Sequence, residues 1–136
     1  MRMDLALIKI IRLLLDITST CSIVNLFRKA ANLGMAKAFT KCGDFVYSGK
    51  GCGKIDKSEA FKCYQKAALL NDSEALNNIG LMLELGFEDR PSDPEQALEY
   101  YKRGHKLGNT DASINIAIYY LSIANADRDT GKYLLK

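Results

Sequence analysis

The 136-residue sequence has no tryptophan, only two prolines, a single histidine and no CxxC pair. So little proline, with charges of both signs throughout, excludes a disordered or collagen-like chain. The one histidine, His105, lies far in sequence from Cys21, Cys42, Cys52 and Cys63. A Cys/His zinc site therefore lacks its usual ligand spacing, and neither metal nor cofactor is expected. The dense mixture of basic and aromatic residues typical of a nucleic-acid platform is also missing. No uninterrupted apolar run reaches the roughly 18 residues of a membrane span. The nearest stretch, residues 5–15, is broken by Lys9 and Arg12, flanked by Asp4 and Asp16, and followed by no small-residue cleavage site. That pattern argues against a signal peptide and favours a cytoplasmic chain. It reads instead as an amphipathic helix with Leu5, Ile8, Ile11 and Leu15 on one side.

What is present suits a folded chain: 48% hydrophobic and 26% charged residues, with a formal net charge of +3. The charge is unevenly placed. Residues 35–71 hold seven basic and three acidic groups, and residues 72–108 hold four basic and eight acidic groups. Opposite fields on adjacent segments would steer a partner or favour weak head-to-tail self-association, against the plainer reading of two solvated faces. The four cysteines would allow two disulfides in a secreted protein. Cys42 and Cys63 fall on apolar helix faces, however, where a reduced thiol behaves as a small hydrophobe, so reduced core thiols are expected.

An internal repeat organises the chain. Sliding residues 23–73 onto 60–110, a shift of 37, gives eleven identities in 51 positions, where average composition would give about three. They include Lys29/Lys66, Ala30/Ala67, Ala38/Ala75, Gly43/Gly80, Gly49/Gly86, Asp56/Asp93, Ala60/Ala97 and Tyr64/Tyr101. A fainter copy continues through Ala112, Asn115, Ile116 and Ala117. Each unit reads as two helices. Asp56 with Glu59, and Asp93 with Pro94 and Gln96, carry the capping-box pattern that starts the second helix. Gly34, Asn71 and Gly108 fall at one phase after it, where a left-handed residue closes a helix. Gly49 and Gly86 end the first helix. The small residues allow close helix approach, with Tyr64, Phe61, Phe27 and Tyr101 filling the space beside them. One pair cannot bury its apolar face alone, so units must stack. The expected fold is all-α: a right-handed α-solenoid of antiparallel helix pairs. Its units are a degenerate pair at 1–34, repeats at 35–71 and 72–108, and a partial repeat at 109–136.

The run Ala38-x-x-x-Cys42-Gly43-x-x-Val46-x-x-Gly49-x-Gly51, then Asp56, Ala60, Tyr64 and Lys66-Ala67-Ala68, resembles the Sel-one-like repeat. The next unit repeats the pattern through Ala75, Ile79-Gly80, Leu83, Gly86, Asp93, Ala97, Tyr101 and Leu107-Gly108. Cys42 and Ile79 stand where the family has leucine, Val46 and Leu83 where it has tyrosine, and Gly104-His105 where it has two alanines. The third unit carries Ile123 and Asn125 in place of the loop glycines. The resemblance implies a tetratricopeptide-like scaffold without catalysis, an adaptor for protein partners in settings such as endoplasmic-reticulum-associated degradation, cell-wall synthesis regulation or bacterial host interaction.

By analogy with such arrays, first helices line a concave groove. With Ala38, Cys42 and Val46 turned inward, helical phase puts Thr40, Asp44 and Tyr47 on the groove side, then Asn77, Leu81 and Glu84, then Ile114 and Ile118. Amides, a tyrosine and aliphatics suit a protein or peptide partner. Asn78 and Asn115 are expected to bond local backbone. The run Ser48-Gly-Lys-Gly-Cys-Gly-Lys54 lacks the P-loop spacing and follows a helix, so it reads as an inter-helix loop. Two alternatives to the adaptor remain: a secreted, disulfide-stapled repeat protein, and a hydrolase. The hydrolase would have to use His105, which has no identifiable orienting partner in the sequence.

Overall fold

The structure is a computed structural model that describes residues 5–6, 21–32, 34–50 and 53–129. Six helices follow one another in these residues: α1 (Cys21–Asn32), α2 (Ala36–Ser48), α3 (Lys57–Leu69), α4 (Ser73–Leu85), α5 (Pro94–Lys106) and α6 (Thr110–Asp129). No strand occurs among them, and the fold is an all-α helical repeat. The amphipathic helix expected over residues 5–15 lies outside the described residues save for 5–6, as does Cys52.

The chain divides into two compact units, Met1–Leu70 and Asn71–Lys136. In the first, α2 packs against both α1 and α3. Its core is the buried pair Cys42 and Cys63 with Phe27, Phe45 and Val46 packed around it; the Phe27 and Phe45 rings stack at 5.5 Å. In the second, α5 packs against both α4 and α6. There Ala75, Leu76, Ile79, Met82, Leu83, Ala97, Leu98, Tyr101 and Ala112 are buried.

The 37-residue spacing recurs in backbone geometry. The N–H of Asp56 donates to the carbonyl of Val46 at 3.2 Å, and the N–H of Asp93 donates to that of Leu83 at 2.7 Å. Each bond ties the start of a second helix to the last turn of the first. Asp56 accepts from the Glu59 N–H at 3.0 Å, and Asp93 accepts from the Gln96 N–H at 3.1 Å, so both aspartates cap their helices. The reciprocal half of the expected box is not formed. The Asp56 N–H is already committed to Val46, and the Glu59 carboxylate turns outward to Arg28 at 3.1 Å.

Gly34, Asn71 and Gly108 have φ of 93°, 61° and 88°, the left-handed geometry that releases the chain from each second helix. The following first helices are capped at the same register. Asp72 accepts from the Ala75 N–H at 3.2 Å and Asn109 from the Ala112 N–H at 2.8 Å. Met35, at the matching place before α2, offers no side-chain cap. Between α4 and α5, Phe87 and Arg90 exchange two backbone bonds across a tight turn, with Arg90 over the Phe87 ring.

Candidate partner-binding surface

Each helix pair is locked by one recurring contact. A Cβ added at Gly43 would lie 2.5 Å from a ring carbon of Tyr64, and the ring of Tyr101 presses on Gly80 in the same way. Contact between carbons is comfortable only near 3.5–4.0 Å. Glycine is thus what lets the tyrosine ring approach the first helix so closely. Both rings are buried and end on a carboxylate. The Tyr64 hydroxyl donates to Asp44 at 2.6 Å, and the Tyr101 hydroxyl donates to Glu84 at 2.5 Å. Burial pushes both phenols well above their ordinary value near 10, and the acceptor carboxylate pushes them further.

Asp44 and Glu84, read from the sequence as groove residues, are therefore half-buried acceptors that orient a tyrosine. Asp44 also approaches the Lys41 ammonium at 3.8 Å. Thr40, expected on the same face, is fully buried, with its hydroxyl leaning toward the Ala36 carbonyl at 3.5 Å. Asn77 is buried too, and its side-chain oxygen accepts from the Asn115 amide at 2.8 Å. Neither Thr40 nor Asn77 presents a side chain to a partner. Asn115, expected to bond local backbone, instead bridges α6 to α4.

The remaining candidates reach the surface. Tyr47 is half-buried beneath the Lys57 ammonium, 5.6 Å from its ring centre. Leu81 is 37% exposed, Ile114 52% and Ile118 51%. Around Asp44 lies a hollow of about 320 Å³ lined by Lys41, Phe45, Ser48 and Lys50, none of which the sequence places on the groove side. Leu121 was also missed. It is 61% exposed and extends the stripe of Ile114 and Ile118 at spacings of four and three, a signal the sequence did carry.

Cys42 and Cys63 are buried thiols outside any disulfide. Burial, helped by the facing Cys63 sulfur, pushes Cys42 up to about 12, and burial followed by the Glu59 charge raises Cys63. Such thiols are inert packing groups in the folded state. His105 does have an orienting partner, since its Nδ1 lies 2.6 Å from the Ser113 hydroxyl. The same hydroxyl lies 3.2 Å from the Asn109 carbonyl, and the direction of the bond to the ring follows the His105 tautomer. Among the described residues no cluster of His, Cys, Asp or Glu is arranged to hold a metal ion, and no helix is long and apolar enough to cross a membrane.

Antiparallel helix pairs repeating every 37 residues, each locked by a tyrosine over a glycine, define a tetratricopeptide-like helical repeat protein. The family model for the Sel1 repeat matches residues 24–35, 40–72 and 73–109, and the chain belongs to that family. It is 37% identical over 68 residues to chitin synthase regulatory factor 4 of Schizosaccharomyces pombe, a stretch that is 50% of this chain and 11% of the relative. A crystal structure of a Sel1 repeat protein from Oxalobacter formigenes matches with a TM-score of 0.65 at 35% identity, over 71% of this chain and 39% of that one. A protective antigen present in uropathogenic Escherichia coli strains, displaying an SLR fold, matches with a TM-score of 0.66 at 25% identity. The match covers 73% of this chain and 21% of the antigen. The chain thus spans well under half the length of each of these relatives. Sel1 repeats commonly serve as protein-interaction scaffolds and are generally non-catalytic.

Proposed function

We propose that this chain is a non-enzymatic adaptor that binds a protein or peptide partner through the outward faces of its first helices, α2, α4 and α6. The observation that carries the reading is the exposure of aliphatic side chains on two first helices, Leu81 on α4 and Ile114 and Ile118 on α6. Exposed aliphatics are ordinary one at a time. Here they recur at the register of first helices, which gives a partner a repeated foothold. Tyr47, with the basic hollow of Lys41 and Lys50 beside it, suits an acidic segment of the partner in the first unit. The division into units at 1–34, 35–71, 72–108 and 109–136 belongs to this reading. A regulatory factor among the relatives supports a role exerted by binding.

Affinity capture with the intact chain, compared with a Tyr47→Ala, Leu81→Asp, Ile118→Asp variant of unchanged circular dichroism, tests the assignment. The variant is expected to lose the principal partners. Recovery of the same partners by both would show that the surface lies elsewhere.

A further inference from the structure

We propose that the C-terminal end of α4 and the turn after it dock a basic segment of the partner, one that pairs an aliphatic side chain with lysine or arginine. The proposal rests on the adaptor reading above and adds the chemistry of what binds. Leu81 and Leu85 lie four residues apart on one face of α4 and are 37% and 72% exposed. They stay exposed although α4 sits mid-chain, packed against α5 and bonded to α6 through Asn77 and Asn115. Ala75, Leu76, Ile79, Met82 and Leu83 of the same helix are buried, so the two leucines form an apolar strip apart from the core.

Charge at this end of the helix selects the occupant. Residues 84–95 hold Glu84, Glu88, Asp89, Asp93 and Glu95 against a single base, Arg90, which lies over the Phe87 ring. Glu84 is committed to Tyr101, and Asp93 and Glu95 answer the positive start of α5. Glu88 and Asp89 form the tip of the turn closed by the two backbone bonds between Phe87 and Arg90, just past Leu85, and both are exposed. The negative end of α4 adds to their field. Its last turn carries no basic residue, whereas the last turn of α3 carries Lys66 and that of α5 carries Arg103, His105 and Lys106. An acidic tip beside an apolar strip complements a segment of opposite charge with an aliphatic anchor. The acidic segment suited to the basic hollow of the first unit would be repelled here.

The strip is short and the charges are solvated, so binding is weak and depends on salt. Short random peptides displayed on phage and panned on the intact chain give the first test. Enriched peptides are expected to share an aliphatic residue beside lysine or arginine. As synthetic peptides they should lose about tenfold in affinity between about 0.1 M and about 1 M salt, as the screening distance shrinks from roughly 10 to roughly 3 Å. Two variants at exposed positions, each checked for unchanged circular dichroism, give the second test. Leu85→Asp should weaken the same peptides by about tenfold or more, through loss of the apolar anchor. Glu88→Lys with Asp89→Lys should weaken them similarly and, panned afresh, should enrich acidic peptides that keep the aliphatic residue. Enrichment of acidic or uncharged peptides by the native chain, no enrichment, or binding indifferent to salt or to either variant would each overturn the proposal. Uncharged peptides that bind the native chain but not the Tyr47→Ala, Leu81→Asp, Ile118→Asp variant would overturn it while leaving the adaptor reading intact, so the two fail separately.

Discussion

At the scale of single residues, the tyrosine that lies on a glycine and ends on a carboxylate makes its own predictions. Gly80→Ala sets two effects against each other. Alanine favours a helix by about 1 kcal/mol over glycine, while forcing a methyl into a filled core costs roughly 1–3 kcal/mol. The Tyr101 ring is buried and its hydroxyl is tethered to Glu84 on the same helix as Gly80, so crowding wins. A net loss of about 1–2 kcal/mol is expected in urea melts. Tyr64→Phe removes only the bond to Asp44 and should cost about 1 kcal/mol. The raised phenols and thiols also give a pH dependence whose sign is fixed. Tyr64, Tyr101, Cys42 and Cys63 hold their protons more tightly folded than unfolded. Their stabilisation is complete below the ordinary values of 9.0 for the thiols and 10.0 for the phenols, and it declines as pH rises through and beyond them. Stability measured between neutral pH and pH 11 should fall, and Tyr101→Phe should flatten the fall. For the same reason Cys42 and Cys63 should resist alkylation in the native protein and react fully once it is unfolded, without reductant. Failure to label them after unfolding would restore the disulfide-stapled alternative.

At the scale of the element, helix ends were more legible than helix faces. Asp56, Asp93 and the left-handed positions Gly34, Asn71 and Gly108 act locally, so residue type and spacing were enough to read them. The faces were misread at Thr40 and Asn77 for a physical reason. An isolated amphipathic helix buries one stripe, but α2 packs against both α1 and α3, and α4 meets α5 while also bonding to α6 through Asn77 and Asn115. A helix with two neighbours buries a wider arc, which includes positions that a single-stripe phase assigns to solvent. The caps Asp72 and Asn109 do not stand out in the repeat because the matching residue before α2 is Met35, which breaks the pattern. That gap invites repair. Met35 is exposed, with extended backbone at φ −86° and ψ 95°. Met35→Asp should supply the missing acceptor and raise the melting temperature, by about 0.5–1 kcal/mol of stability. Asp93→Ala should lower it, by about 1 kcal/mol.

At the scale of the whole molecule, the repeat resolves a composition that looks ordinary in total into two compact units of opposite charge. Burial differs along the chain as well. In α4, Ala75, Leu76, Ile79 and Leu83 are at most 1% exposed, while in α6 most side chains beyond Ala117 face solvent. Local opening is easiest where few apolar groups are buried. Hydrogen exchange should therefore be slowest in α4 and fastest in the last turns of α6.

The two tyrosine hydroxyls also bear on how the copies diverged. Tyr64 and Tyr101 are 37 residues apart, but their acceptors, Asp44 and Glu84, are 40 apart. A short carboxylate in one copy has been traded for a longer one, one helical turn further along, in the other. The acceptor is an exchangeable part and the hydroxyl is the constant. Substitutions at positions 44 and 47 are consequently epistatic. Asp44→Leu alone strands the Tyr64 hydroxyl, whereas Asp44→Leu with Tyr47→Glu recreates the arrangement of the second copy and should recover most of the loss. Duplicated units can drift apart along such paired steps without ever giving up the bond.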